Sequence, residues 1–409
     1  MIKETLQNQR NQKNSYSYDL LPKPYKTLKE LVQISSQSKN IKGVQKAQDY
    51  CSKILEHMGF KIEHISNQKD QSAKLLVAIR KGRGDRTITF IGHTDTVGTS
   101  ESYPFSLDLG NNKILGAGIA DDKAGLVSCF TALKTFLSNR SNHQHNIRII
   151  ISPNEELGSP GFHRIFKNLG YESDIILGLE PADTSGNIIS SRSGNRWYKL
   201  RVNGKSAHSG RFGESHINAS HELANIITKF SRLNNEAQKI RVNVGSIQTQ
   251  FKTFNTICGQ SEAKIDVRFS CLEDREIIHK EFLNILNSPK QMCPYTGEKV
   301  TSFYSIEDDC PPLSSTSRND SLLNSIKESI RIIEGKKIES IHSGGAADIN
   351  YLMNEFNLGV DGLGPSGGRL HTRKEYIWAD SLINRSKVIY HTLNTLEKDY
   401  EDGFKFRTS

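Results

Sequence analysis

Apolar residues along the first 190 positions follow two alternating rhythms. In residues 42–58, Val44, Ala47, Ile54, Leu55 and Met58 keep helical spacing, and Gly59 marks a stop. Residues 25–35, 123–137 and 162–169 repeat that helical pattern. Between them lie short apolar runs bounded by turn residues, at 74–79, 87–91, 147–151 and 174–179. Runs of this kind alternating with helices predict a largely parallel sheet covered on both faces.

The rhythm changes near Ser191. Residues 197–202 predict a strand, 217–233 an amphipathic helix, 239–248 and 262–270 two strands, 273–286 a helix and 300–306 a last strand. That β-α-β-β-α-β order is the split pattern of a small ferredoxin-like domain. Helical spacing returns at 321–333 and again at 380–396. The expected architecture is therefore α/β: a mostly parallel, mixed sheet flanked by helices, built from residues 1–191 and 311–409. An α+β insertion at 192–310 interrupts it. A chain of 409 residues suits two such domains.

Composition narrows the function. The chain is 35% hydrophobic and 24% charged, enough for real cores. No apolar run reaches membrane-spanning length, and the amino-terminal MIKETLQNQRNQKN lacks the apolar stretch of a signal peptide. Six cysteines without CxxC spacing suit a reducing cytoplasm. The formal net charge is +9, and residues 1–50 supply +5 of it through nine Lys/Arg against four Asp/Glu. No aromatic RNA-binding motif or zinc finger accompanies that excess, so a solvated basic face is the simpler reading and a nucleic-acid partner is not expected. The Gln/Asn/Lys-rich first twenty residues are the one biased segment, and loose order is expected there.

The informative chemistry lies where strands end. Residues 87–91 run into Gly92-His93-Thr94-Asp95, and 147–151 into Ser152-Pro153-Asn154-Glu155-Glu156. Residues 174–179 run into Glu180, and Asp121-Asp122-Lys123 follows Gly116-Ala117-Gly118 just before a helix. The carboxyl ends of parallel strands share one edge, where ligands bind. His371 follows in a late glycine-rich loop. Taken singly, each has an ordinary explanation: Asp121 could cap its helix, and Glu155-Glu156 could be surface charge. Together, carboxylates with a few imidazoles and no thiolate suit a hydrolytic zinc, cobalt or manganese site, and this much negative charge calls for two ions.

At these residues the chain resembles the dinuclear-zinc exopeptidase and deacylase family that includes glutamate carboxypeptidase, acetylornithine deacetylase, succinyl-diaminopimelate desuccinylase and aminoacylase. His93-Thr94-Asp95-Thr96-Val97 is similar to its HxDTV element, and residues 116–125 to its GxGxxDxKxG element. Asn154-Glu155-Glu156-Leu157-Gly158 is similar to its paired-glutamate motif, and residues 204–210 to the histidine motif of its inserted domain. The resemblance implies two metal ions bridged by Asp121, with His93 and Glu180 on one, and Glu156 and His371 on the other. It implies Glu155 as general base, Asp95 as the carboxylate orienting His93, and a cis peptide after Asp121. It further implies that His208 of the partner subunit of a homodimer, joined through the inserted domain, stabilises the oxyanion. Asn255 and Arg268 match positions that contact the substrate, although Arg268 also fits an ordinary strand surface.

Departures fall in the specificity region. Asn-x-Ile-Pro is Asn255-Thr256-Ile257-Cys258 here, and Gly344-Gly345-Ala346-Ala347-Asp348 lacks the family's threonine. Glu307-Asp308-Asp309 precedes Cys310, where some glutamate carboxypeptidases carry arginine. The expected activity is hydrolysis of an amide bond beside a free carboxylate in a small peptide. An N-acyl amino acid deacylase is the main alternative, and a non-catalytic binding protein on the same fold the remote one.

Overall fold

The computed structural model describes residues 21–67, 73–108, 110–251, 253–314 and 316–402. The biased first twenty residues lie outside this range. The chain divides into two compact units. One holds the described residues through Ser191, those from 316 to His342 and those from Ala347 on. The other is Arg192–Ser314 with Ser343–Ala346.

The first unit is built on a six-stranded sheet. Its strands run Lys61–Ile65, Leu75–Arg80, Asn146–Ser152, Thr87–His93, Ile175–Gly178 and Leu358–Val360 across the sheet. The last three pairings are parallel and the first two antiparallel. The sheet is thus more mixed than the apolar runs suggest. A strand buried on both faces looks the same in either direction, so hydrophobicity carries no sign for Leu75–Arg80. The edge strand Lys61–Ile65 escapes the sequence pattern because its KIEHI residues are mostly exposed. Thr87–His93 and Asn146–Ser152, in contrast, are buried at every residue.

Helices Lys23–Gln33, Ile41–His57, Ala124–Asn139, Asp320–Glu334 and Ser381–Glu401 bury their apolar residues in the same core as the sheet. Helix Ala124–Asn139 is buried nearly all round, as its run of Leu126, Val127, Phe130, Leu133, Phe136 and Leu137 requires. It lies along Ser381–Glu401, where the Ser128 hydroxyl donates to the Leu382 carbonyl. A smaller sheet joins Gly367–Gly368, Tyr376–Trp378, Lys113–Leu115 and Ser106–Asp108. These strands are too short to leave a periodic signature.

The second unit is a four-stranded antiparallel sheet with helices Ala219–Ser231 and Leu272–Leu286. In chain order its strands are Gly194–Asn203, Arg241–Thr249, Gln260–Phe269 and Thr301–Cys310, and across the sheet they lie second, third, first, fourth. Alternate residues of Gln260–Phe269 are buried, the pattern of a sheet covered on one face. Its own core includes Tyr198, Leu200, Ile226, Phe230, Val267 and Phe282. The side chain of Asn218 caps Ala219–Ser231 by accepting from the Ser220 and His221 amides. The last strand runs to Cys310, past the expected end at 306, through a register shift between Ile306 and Asp308.

One buried carboxylate ties the carboxy-terminal helix to the loop that feeds the central sheet. The Glu397 carboxylate accepts from His145 Nδ1 at 2.7 Å and from the Gln144 and His145 amides at 2.7 and 3.0 Å. Burial pushes the Glu397 carboxyl up, but those hydrogen bonds outweigh it and hold the group below its usual range. Its stabilising effect is therefore complete above the unfolded carboxylate pKa and is lost as the pH falls through the lower folded value. Denaturant unfolding of Glu397→Ala at pH 7 is expected to show a loss of about 3 kcal/mol. The difference from the parent should shrink as the pH is lowered below about 4.

Candidate metal centre

Three parallel strands finish at one edge. Thr87–His93 ends on His93 itself, which is in register with Ser152, and Ile91 is in register with Gly178. Three residues beyond Ser152 the chain enters a short turn, Glu155–Leu157, and two beyond Gly178 stands Glu180. Asp121 occupies a tight turn, Ile119–Lys123, that follows a left-handed Gly118 (φ 62°) and leads into helix Ala124–Asn139. The Asp121–Asp122 peptide is cis. Gly125 lets that helix begin close to the sheet, because a Cβ there would stand 2.1 Å from the Leu179 carbonyl oxygen. His371, with φ 60°, lies in the loop between Gly367–Gly368 and Tyr376–Trp378.

These residues gather in two groups. His93, Glu155 and Glu180 offer ligand atoms within 4.8 Å of one another, and so do Asp121, Glu156 and His371. Asp121 stands between the groups. Its Oδ1 is 2.9 Å from His93 Nε2, and its Oδ2 is 3.1 Å from His371 Nε2. His93 Nε2 is also 3.5 Å from a Glu180 oxygen, and His371 Nε2 is 3.1 Å from Glu156 Oε2. Among the described residues, the buried Glu156 Oε1 has no hydrogen-bond partner. A carboxylate whose two oxygens address different imidazoles, beside a buried oxygen lacking a donor, fits a pair of cations in its donor chemistry.

The electrostatics agree. Burial, then the Glu180 charge, pushes the Glu155 carboxyl well up. Burial also raises Glu156 and Asp122, although the His371 contact opposes it at Glu156. Asp121 goes the other way, because the His371 and His93 imidazoles outweigh its burial. Contacts with Asp121 and Glu156 raise His371 to about 10. Burial would lower His93, but Asp121, Asp95 and Glu180 together raise it. A crowd of carboxylates in a buried volume demands positive charge, and divalent cations are the stable way to supply it.

Asp95 braces this arrangement. Its backbone carbonyl is 2.9 Å from His93 Nδ1, while its Oδ1 is 3.3 Å from the same atom. The carboxylate also accepts from the Glu155 amide at 3.0 Å, the Glu156 amide at 3.2 Å and the Ser38 hydroxyl at 2.7 Å. Sequence reasoning ties Asp95 to His93; the geometry ties it to the paired glutamates as well.

A model of peptidase family M20/M25/M40 matches residues 89–395. The chain belongs to that family. Carboxypeptidase G2 of Pseudomonas sp. (strain RS-16) is 26% identical over 63% of this chain and 62% of its own length. Succinyl-diaminopimelate desuccinylase of Buchnera aphidicola subsp. Cinara cedri (strain Cc) is 27% identical over 90% of this chain and 97% of its own. Among solved structures, a tripeptidase of Staphylococcus aureus subsp. aureus Mu50 superposes with a TM-score of 0.75. It covers 92% of this chain and 98% of its own at 20% identity, which establishes the mixed α/β fold. This member of the M20/M25/M40 family is a hydrolytic metalloenzyme.

Of the ten residues singled out in the sequence, the structure brings seven together in the first unit of this family member: His93, Asp95, Asp121, Glu155, Glu156, Glu180 and His371. The other three belong to the second unit. The exposed His208 accepts from the Gly210 amide at 3.1 Å, and the backbone carbonyl of the exposed Asn255 accepts from the Ser209 amide at 2.9 Å. Arg268 is half-buried, and its Nε donates to Asp266 at 2.9 Å. Sequence reasoning missed Glu375, which accepts three amides of the Asp121 turn. It also missed Ser38, and Asp122, whose Oδ2 accepts from the His93 amide at 3.3 Å. The one available signal was a glutamate four residues after His371. Among the described residues, no helix is long and apolar enough to cross a membrane, and no disulfide joins any of the six cysteines.

Replacing Asp95 with alanine releases His93 and both glutamate amides together. Metal affinity and turnover are expected to fall about 10–100-fold. Calorimetric zinc titration of the folded variant checks this, and an unchanged isotherm would refute the bracing role.

Proposed function

We propose that this chain is a two-metal hydrolase that cleaves an amide bond beside a free carboxylate in a small peptide, after the manner of a carboxypeptidase. One observation carries the reading: Asp121 turns its two oxygens toward imidazoles of two separate ligand groups. His93 and Glu180 would hold one ion, Glu156 and His371 the other, with Asp121 shared. Zinc is the expected ion, with cobalt or manganese as substitutes. When bound, such ions polarise the scissile carbonyl and acidify the attacking water.

The protein's own groups do the rest. Glu155, held by its amide on Asp95, takes the proton of the attacking water and returns it to the departing nitrogen. His208 of the partner subunit donates to the developing oxyanion, and Arg268, steadied by Asp266, and Asn255 receive the substrate's free carboxylate. Residues 1–191 and 311–409 would form the catalytic domain, and 192–310 the lid through which a homodimer assembles. The scattered cysteines favour a cytoplasmic enzyme.

A second reading has its own support: the desuccinylase relative aligns over 97% of its length, against 62% for carboxypeptidase G2. Under it, the chain removes an acyl group from an N-acyl amino acid. Parallel rates on peptides ending in glutamate and on succinyl- and acetyl-amino acids separate the two; faster turnover of the peptides supports the carboxypeptidase. In either case Glu155→Ala should keep its metals while kcat falls about 10²–10⁴-fold. Full activity in that variant would remove Glu155 as the base. A chelator should abolish turnover, and added zinc or cobalt should restore it.

A further inference from the structure

Glu375 is a buried carboxylate that the chemistry above leaves without a task. It is 4% exposed and points away from solvent into the turn that carries Asp121. Its Oε1 accepts from the Ala120 and Asp121 amides at 2.9 and 3.2 Å, and its Oε2 accepts from the Gly118 amide at 3.1 Å. Left-handed Gly118 opens the turn so that these amides converge on one anion, an arrangement of backbone N–H groups that wraps negative charge.

The contact continues a strand pairing. Tyr376–Trp378 pairs antiparallel with Lys113–Leu115, placing Tyr376 opposite Leu115. One step further, the Gly116 amide donates to the Glu375 carbonyl at 3.4 Å. Beyond that the ladder would lapse, and the Glu375 side chain takes over the amides as the other strand turns away. Within its own loop, the Glu375 amide donates to the Thr372 carbonyl at 3.1 Å, and the Thr372 hydroxyl donates to the Arg369 carbonyl at 2.7 Å. Those bonds close the turn that presents His371. One carboxylate therefore joins the loop of Asp121 to the loop of His371.

We infer that Glu375 is a positioning residue that assembles the Asp121–Glu156–His371 ion site by clamping two of its three ligand loops together. It touches neither substrate nor ion. The His93–Glu180 side leans on it less, since those ligands sit on or just past strands of the central sheet. The clamp thus makes the two ions unequal: its loss should release one before the other. This rests on the two-metal reading.

The test is zinc content and calorimetric titration of the full chain, parent beside Glu375→Gln and Glu375→Asp, with cobalt spectra as a second readout. Glutamine keeps the shape but sets an amide against backbone donors; aspartate keeps the charge but is one methylene short. The parent should take up two ions. Glu375→Gln should bind one nearly as the parent does and the other about 10–100-fold more weakly, with Glu375→Asp between them. Should Glu375→Gln not fold, Glu375→Asp alone carries the comparison. A variant binding both ions as the parent does, or weakening both equally, would overturn the inference while leaving two-metal hydrolysis standing. A parent that takes up fewer than two overturns that reading and this inference with it.

Discussion

Mutual repulsion among carboxylates is the constraint around which the first unit is organised. Asp121, Glu155, Glu156 and Glu180 are delivered to one sheet edge by three segments, with Asp122 directly behind them. Left alone in a buried volume, such groups would protonate or push their loops apart. Two histidines, each against a different oxygen of Asp121, mark where positive charge belongs. Under the two-metal reading, an aspartate shared between two cations would turn that repulsion into cohesion.

Holding that charge requires backbone amides as well as metal ligands. Two buried carboxylates collect them. Asp95 gathers the Glu155 and Glu156 amides, and Glu375 gathers those of Gly118, Ala120 and Asp121. Each of these two turns is thus pinned by an anion outside the proposed ligand set. The buried Lys123 supplies nearby positive charge to both, while its ammonium donates to the Ile34 carbonyl. The strands beneath contribute rigidity: Thr87–His93 and its neighbours have no exposed residue to loosen them.

Much of this was legible in the sequence because two independent signals coincide. Apolar runs locate the strands, and the chemistry-bearing residues stand just past their ends, so position and residue type agree at His93, Glu155, Glu156 and Glu180. The helix that follows Asp121 announces itself through Leu126, Val127, Phe130 and Leu133. What stayed hidden has physical reasons. Strand direction leaves no trace in a run buried on both faces, so the antiparallel Leu75–Arg80 could not be told apart. Strands of two or three residues, such as Gly367–Gly368 and Tyr376–Trp378, have no periodicity to detect. Glu375 was invisible for a related reason: its partners are backbone amides 254 to 257 residues away, and amides carry no sequence identity. The second role of Asp95 was concealed in the same way.

The most direct measurement is anomalous scattering at the zinc edge from crystals grown with zinc. The account predicts two peaks, one on the His93–Glu180 side of Asp121 and one on the Glu156–His371 side, about 3.5–4 Å apart. A single peak, or peaks seated on other residues while these side chains stand apart, would contradict it.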